Sequence, residues 1–152
     1  MVWREYLASL VTTPEGEQRL IPAGPPADPA TLTAAEAVLG VHLPANLHAL
    51  YGEMDGVDDP SFYLRLIMPT SELASANISL RSLDSTRHAT NFHDFLFFAG
   101  RGNGDLFGFR VVDGRAQPNQ IVEWNHELDE ITPVAHSLTD FLLGWVRQSG
   151  SG

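Results

Sequence analysis

The chain has 152 residues, no cysteine, and 19 acidic against 9 basic residues, a net charge of −10 in which every basic residue is arginine. That length suits one domain. The missing thiols exclude disulfides, thiolate zinc sites and a cysteine nucleophile, and the negative balance opposes direct binding to DNA, RNA or an anionic membrane, all of which need a cationic footprint. No apolar run approaches the ~18 residues of a membrane span, and Met1-Val2-Trp3-Arg4-Glu5 lacks the basic and apolar regions of a secretion signal, so a cytoplasmic location is expected.

From the N-terminus, Trp3, Tyr6, Leu7 and Leu10 recur at one face of a helix over Val2 to Val11, stopped by Thr12-Thr13-Pro14. The stretch onward to Ala30 is rich in proline, glycine and alanine and reads as a loop. Residues 1–30 are therefore expected to form a helix and arm packing on the same domain, ahead of a main body over 31–148. Thr33-Ala34-Ala35-Glu36 has the capping-box form for a short helix ending at Gly40. Pro44 suits a first helical position, and Leu47, Leu50, Tyr51 and Met54 follow at helical spacing up to Asp55-Gly56.

Phe62 to Ile67 reads as a strand, and Thr70 to His88 as a short helix from about Ser71 plus loop. Phe95 to Ala99 and Leu106 to Val112 are apolar, aromatic segments joined by Gly100-Arg101-Gly102-Asn103-Gly104-Asp105, which predicts two adjacent strands and a tight reversal. A phosphate-binding loop is the weaker reading there, because no Gly-Lys-Ser/Thr follows and a strand, not a helix N-terminus, comes next. Gln120 to Trp124 is a further strand with Val122 and Trp124 on one face. A last helix starts at Ser137-Leu138-Thr139-Asp140 and buries Leu138, Phe141, Leu142, Trp145 and Val146; residues 149–152 read as a flexible tail. Terminal helices around sequential strands, without βαβ alternation, indicate an α+β fold: a single domain with a central, mainly antiparallel or mixed sheet flanked by helices.

Little of this pattern carries catalytic chemistry. His42 and His48 would stand roughly 240° apart on a continuous helix, Pro44 breaks even that continuity, His88, His93 and Asp94 fall in irregular sequence, and His126-Glu127 lacks the second histidine of a zinc helix. No metal, cofactor or catalytic residue is assigned. No nucleophile elbow occurs, and adjacent carboxylates such as Asp58 and Asp59 point apart in regular structure. The acidic residues instead gather in two clusters, Glu53, Asp55, Asp58 and Asp59, and then Glu123, Glu127, Asp129 and Glu130. Either they face a basic protein partner or they only solubilise the chain. Trp124, inside the second cluster, is either a binding anchor or a core residue of the sheet.

Three separated segments agree with one family. Ala35-Glu36, Leu39-Gly40, Leu43-Pro44, Leu47, Leu50-Tyr51 and Asp55-Gly56 resemble the opening helix pair of the SUKH superfamily, the domain of the Smi/Knr-type cell-wall assembly regulators. Phe97-Phe98-Ala99-Gly100 with Gly102-Asn103-Gly104-Asp105-Leu106-Phe107 is similar to its apolar strand, glycine turn and aromatic strand. Ile121 to Glu127, then Ala135, Ser137-Leu138 and Phe141-Leu142, are similar to its final strand, His-Glu step and closing helix. The resemblance covers about Leu32 to Val146; Asn103 stands where a glycine is usual, and Met1 to Pro29 has no counterpart.

The resemblance implies a single α+β domain without catalytic apparatus. In bacteria it implies a toxin-immunity protein that binds and neutralises a cognate toxin, a basic nuclease-type domain being one such partner; in fungi it implies a regulatory adaptor. The expected contacts are Glu53, Asp55, Asp58, Asp59, Glu123, Trp124, Glu127, Asp129 and Glu130, with Arg101, Asn103, Asp105 and His126 as secondary ones. Two alternatives stay open: an adaptor for a basic segment of a cellular protein, and a small ligand-binding domain or hydrolase using His126, Glu127 and Asp105.

Overall fold

A computed structural model describes residues 2–10, 18–83 and 89–150, with Ser149 and Gly150 in backbone only. The helix stop at Thr12-Thr13-Pro14, His88 and the end of the expected tail lie outside the described residues. Among the described residues, five α-helices, two short 3-10 turns and seven strands form one α+β domain. The strands are β1 (Ile21–Pro22), β2 (Val57–Asp59), β3 (Leu64–Ile67), β4 (Phe95–Gly100), β5 (Leu106–Val112), β6 (Arg115–Asn125) and β7 (Glu130–Ala135). They lie side by side in sequence order, and every neighbouring pair is antiparallel.

The helices are α1 (Trp3–Ser9), α2 (Pro29–Leu39), α3 (Ala45–Glu53), α4 (Thr70–Arg81) and α5 (Leu138–Gly150). Helix α2 begins a turn earlier than its sequence suggested. Asp28 accepts a hydrogen bond from the Ala30 N–H at 2.9 Å, and Pro29 follows as a first residue with no donor to waste. Thr33 and Glu36 are thus interior to α2 rather than its capping box. Glu36 instead accepts from the Leu43 N–H at 2.8 Å and meets His48 Nε2 at 3.1 Å, which joins α2 to α3. Pro44 is the residue before α3, not its first.

The hairpin β4–β5 forms as its composition predicts. Gly102 and Gly104 take positive φ, while Asn103 contributes a side-chain oxygen that accepts from the Asp105 N–H at 3.0 Å. Strand β6 begins at Arg115, five residues before the apolar pattern becomes clear, because Asp113-Gly114 forms a two-residue turn with both φ values positive. Strand β3 starts at Leu64 rather than Phe62, since Pro60–Phe62 is a 3-10 turn. Strands β1, β2 and β7 were not expected: two are very short, and β7 carries Pro133.

Strand β4 is buried on both faces, which explains its unbroken apolar run. Leu96 and Phe98 join Phe107, Phe109 and the apolar sides of the helices in the main core. Phe98 stacks on Phe109 with centroids 4.6 Å apart, and Phe141 of α5 meets Phe98 and Phe107 edge-on at 5.4 and 4.8 Å. Phe95, Phe97, Val122 and Trp124 form a smaller core on the other face beneath Phe92. The shared face of Val122 and Trp124 is as the alternation predicts. All five apolar residues assigned to α5 are buried.

The N-terminal residues are tied to this body. The Glu53 carboxylate at the end of α3 accepts from the Trp3 and Arg4 N–H groups at 2.7 and 3.1 Å, which places a negative charge at the start of α1. The Tyr6 hydroxyl donates to the Thr139 carbonyl at 2.8 Å.

Candidate functional site

Antiparallel order places every second connection at the same end of the sheet. One end therefore gathers the β2–β3 turn at 60–63, the β4–β5 turn at 101–105 and the β6–β7 turn at 126–129. A Cβ on Gly102 would lie 3.2 Å from Leu64, which puts the first two turns in contact. His126 bridges the second and third. Its backbone N–H donates to Asp105 Oδ1 at 3.0 Å, and its Nδ1 stands 2.6 Å from the same oxygen.

The first acidic cluster does not survive folding as one patch. Glu53 caps α1, and Asp55 Oδ1 accepts from the Thr70 N–H at 2.7 Å at the start of α4. Asp58 and Asp59, adjacent on β2, point to opposite sides as period two requires. Asp58 is near the surface and accepts from Arg65 Nε at 2.7 Å. Asp59 is 0% exposed. Its carboxylate receives both ends of the Arg19 guanidinium at 2.9 and 3.0 Å, Trp145 Nε1 at 2.8 Å and the Ser61 N–H at 3.1 Å. A residue so enclosed offers nothing to a partner, so Asp59 is a structural residue and its place among the expected contacts is corrected.

The second cluster divides in the same way. Glu123 pairs with Arg101, one of whose bonds spans 3.2 Å and the other is shorter. The Arg101 guanidinium also lies over the rings of Phe107 and Trp145, 5.1 and 5.5 Å from their centroids. Hydrogen bonding to Glu123 raises the Arg101 pKa, with burial opposing it, so its charge is fixed. Beside this pair lies a pocket of about 90 Å³ lined by Phe141, Gly144 and Trp145 among others. That is below the several hundred Å³ usual for an organic ligand.

Trp124 is 5% exposed and belongs to the smaller core, edge-on to Phe92 at 5.0 Å. Of its two readings, the core one holds: a partner cannot use this ring as an anchor without unpacking the sheet. Its Nε1 donates to Asp129 Oδ1 at 2.8 Å. Asp129 Oδ2 accepts from the Ala89 and Thr90 N–H groups, the latter at 3.3 Å, and so fixes the segment leading into β4.

Burial alone would favour the neutral form of Asp129, but the bonds from Trp124, Thr90 and Ala89 outweigh it and hold its pKa below the usual aspartate range. Burial likewise opposes ionisation of Asp105, and its bonds to His126 and Asn103 reverse that effect. A carboxylate depressed on folding stabilises above its unfolded pKa and loses that contribution as pH falls through its folded pKa. Stability is therefore expected to decline on acidification below the ordinary aspartate range. Urea denaturation at stepped pH should show a shallower decline for Asp129→Asn than for the unaltered chain.

The imidazole–carboxylate pair His126–Asp105 resembles half of an acid–base apparatus. Its carboxylate, however, also accepts from the His126 backbone N–H of the neighbouring turn. Gly104 packs against the ring so closely that an added Cβ would stand 2.9 Å from it. The pair fastens two turns together. Glu127, the third member of the hydrolase alternative, is exposed, and its N–H donates to Asn125 Oδ1 at 3.0 Å.

What this end of the sheet presents to solvent is a mixed rim: Asn103, Glu127, Leu128 and Glu130 on one side, Phe62 and Tyr63 on the other. Sequence reasoning missed the last two because Phe62 was read into a strand. Pro60-Ser61 after two aspartates is the turn signal that could have found them. Among the described residues, no group of three or more histidine and acidic side chains is arranged to hold a metal ion, and no helix is long and apolar enough to cross a membrane.

No individual curated protein matches the chain. A family model described as the SMI1 / KNR4 family (SUKH-1) matches residues 26–144, from just ahead of α2 into α5. That span holds the smaller core cluster, most of the main one and all three turns, and on it the chain belongs to the SMI1 / KNR4 family (SUKH-1), a family known for immunity and regulatory roles and not known for enzymes.

Proposed function

We propose that this protein is a non-enzymatic immunity protein that neutralises a cognate toxin domain by direct contact through the three-turn end of its sheet. The observation that supports this most is the composition of that end: solvent-facing Glu127 and Glu130 on one side and exposed aromatic residues on the other, on a chain of net charge −10. A basic toxin would be steered to such a surface electrostatically, and the apolar side chains would supply contact area after encounter. Asp58, Asn103 and Asp105 lie on the same end and belong to the proposed contact region. The partner is a protein, with a basic nuclease-type domain the best fit to the charge, and the expected compartment is the cytoplasm.

The test is binding and protection against the toxin domain encoded beside this protein's gene. The purified chain is expected to form a stable complex, to restore growth when co-expressed, and to bind more weakly as ionic strength rises from about 0.05 to 0.5 M. Absence of both complex and protection would sink the proposal. A neighbouring gene without toxin character, together with binding to a basic segment of a cellular regulator, would favour the adaptor reading instead.

A further inference from the structure

Tyr63 is 100% exposed and sits in the left-handed region, with φ of 51° and ψ of 40°. A bulky residue there is uncommon, since its Cβ crowds the backbone, and glycine or asparagine would be easier. Among the described residues the tyrosine ring has no hydrogen-bond or ring partner, in keeping with its full exposure. Beside it Phe62 is 53% exposed, yet its ring is held: Arg19 lies 5.1 Å from its centroid and Trp145 meets it edge-on at 6.4 Å. The base of the turn is the buried Asp59, which accepts the Ser61 N–H and binds Arg19 and Trp145. A rigid internal network thus presents two aromatic rings to water. Strain retained where nothing internal benefits from it points to an external use.

We propose that Phe62-Tyr63 is a preformed aromatic anchor that inserts into an apolar cleft with a basic rim on the protein partner. The inference rests on the toxin-binding reading and specifies its main contact. Aromatic side chains held in place lose little conformational entropy on association and concentrate binding energy. The basic rim follows from charge: the chain carries −10 overall, Glu127 and Glu130 are exposed on the same end of the sheet, and Asp58, paired with Arg65, flanks the turn. A second copy of this chain is disfavoured as occupant because two molecules of charge −10 repel.

The decisive variant is Tyr63→Gly, which removes the ring and relieves the backbone. It is expected to unfold at the same or a higher temperature than the unaltered chain, yet to bind the neighbouring-gene toxin at least about ten-fold more weakly. Tyr63→Phe keeps the ring and is expected to retain affinity within about three-fold. A second measurement reads the same contact: Tyr51 is buried and the Tyr6 hydroxyl is bonded, so tetranitromethane should nitrate Tyr63 in the free protein and spare it in the complex. If the unaltered chain binds and Tyr63→Gly binds equally well, or Tyr63 nitrates at the same rate in the complex, the anchor is overturned and the toxin reading stands. If the unaltered chain neither binds nor protects, the toxin reading itself fails.

Discussion

Replacing Asp59 by alanine is expected to destabilise the fold by about 3–5 kcal/mol, the cost of removing one member of a buried ion pair. Arg19 is itself buried, and it donates two bonds to the Asp59 carboxylate at 2.9 and 3.0 Å. Trp145 Nε1 and the Ser61 N–H complete the carboxylate's shell, so one substitution removes a shared acceptor from donors on the N-terminal arm, on α5 and in the β2–β3 turn. For a domain of this size the loss corresponds to a fall in Tm of roughly 10 °C. Asp59→Asn keeps acceptor capacity for Trp145 and is expected to fall between the two. The double change Arg19→Met with Asp59→Leu should recover much of the loss, since a buried pair exchanged for apolar side chains of similar size is often close to neutral. Urea unfolding of the four proteins checks this; a loss below about 1 kcal/mol for Asp59→Ala would show that water reaches Arg19.

The second large effect is expected at Asn77, which is 1% exposed on α4. Strands β3 and β4 pair at Ile67 and Ala99, with the Met68 N–H bonded to the Phe98 carbonyl; β3 then gives way to α4. The backbone of Phe97 would be left without a partner on that side. Asn77 supplies one: its Oδ1 accepts from the Phe97 N–H at 2.8 Å, and its Nδ2 donates to the Phe97 carbonyl at 2.9 Å and to the Leu73 carbonyl at 2.8 Å. The side-chain amide thus continues the sheet by one residue. Asn77→Ala leaves both backbone groups buried and unpaired, at about 1–3 kcal/mol each, so a total loss of about 2–6 kcal/mol is expected. Asn77→Asp should cost at least as much, because a carboxylate cannot donate to the Phe97 carbonyl. Hydrogen exchange locates the effect: protection of the Phe97 amide should drop further than that of Phe109 on β5. Equal loss at both amides would mean that Asn77 acts only on global stability.

Both residues show where sequence reading stops. The apolar runs of β4 and β5, the glycine turn between them and the apolar stripe of α5 were legible because each is a local pattern: strand length, positive-φ residues, and a 3.6-residue period. The Asp113-Gly114 turn was equally local and would have placed the start of β6 correctly. Strands β1 and β2 could not be read this way. Two or three residues carry no periodicity, and they become strands only because neighbours pair with them.

The acidic residues were the most misleading element. Glu53, Asp55, Asp58 and Asp59 are close in sequence and suggested one charged surface. Folding assigns them to the start of α1, the start of α4, a surface pair with Arg65 and a buried pair with Arg19. Proximity along a chain says nothing about which backbone donor or arginine each carboxylate will meet. Trp124 is similar: its place in an alternating strand fixed which face it shares with Val122, but not whether that face was covered. Phe92 and the segment held by Asp129 cover it.

The sequence by itself determined the α+β class, the central hairpin and the closing helix, because these rest on short-range periodicity and turn chemistry, and its motifs carried the resemblance to the family. Only the tertiary structure decided which charges remain at the surface, that His126 and Asp105 join two turns, and that Phe62 and Tyr63 stand exposed over a buried ion pair. Those outcomes depend on contacts between residues as far apart as Arg19, Asp59 and Trp145, and on the geometry of an antiparallel sheet that gathers distant turns at one end.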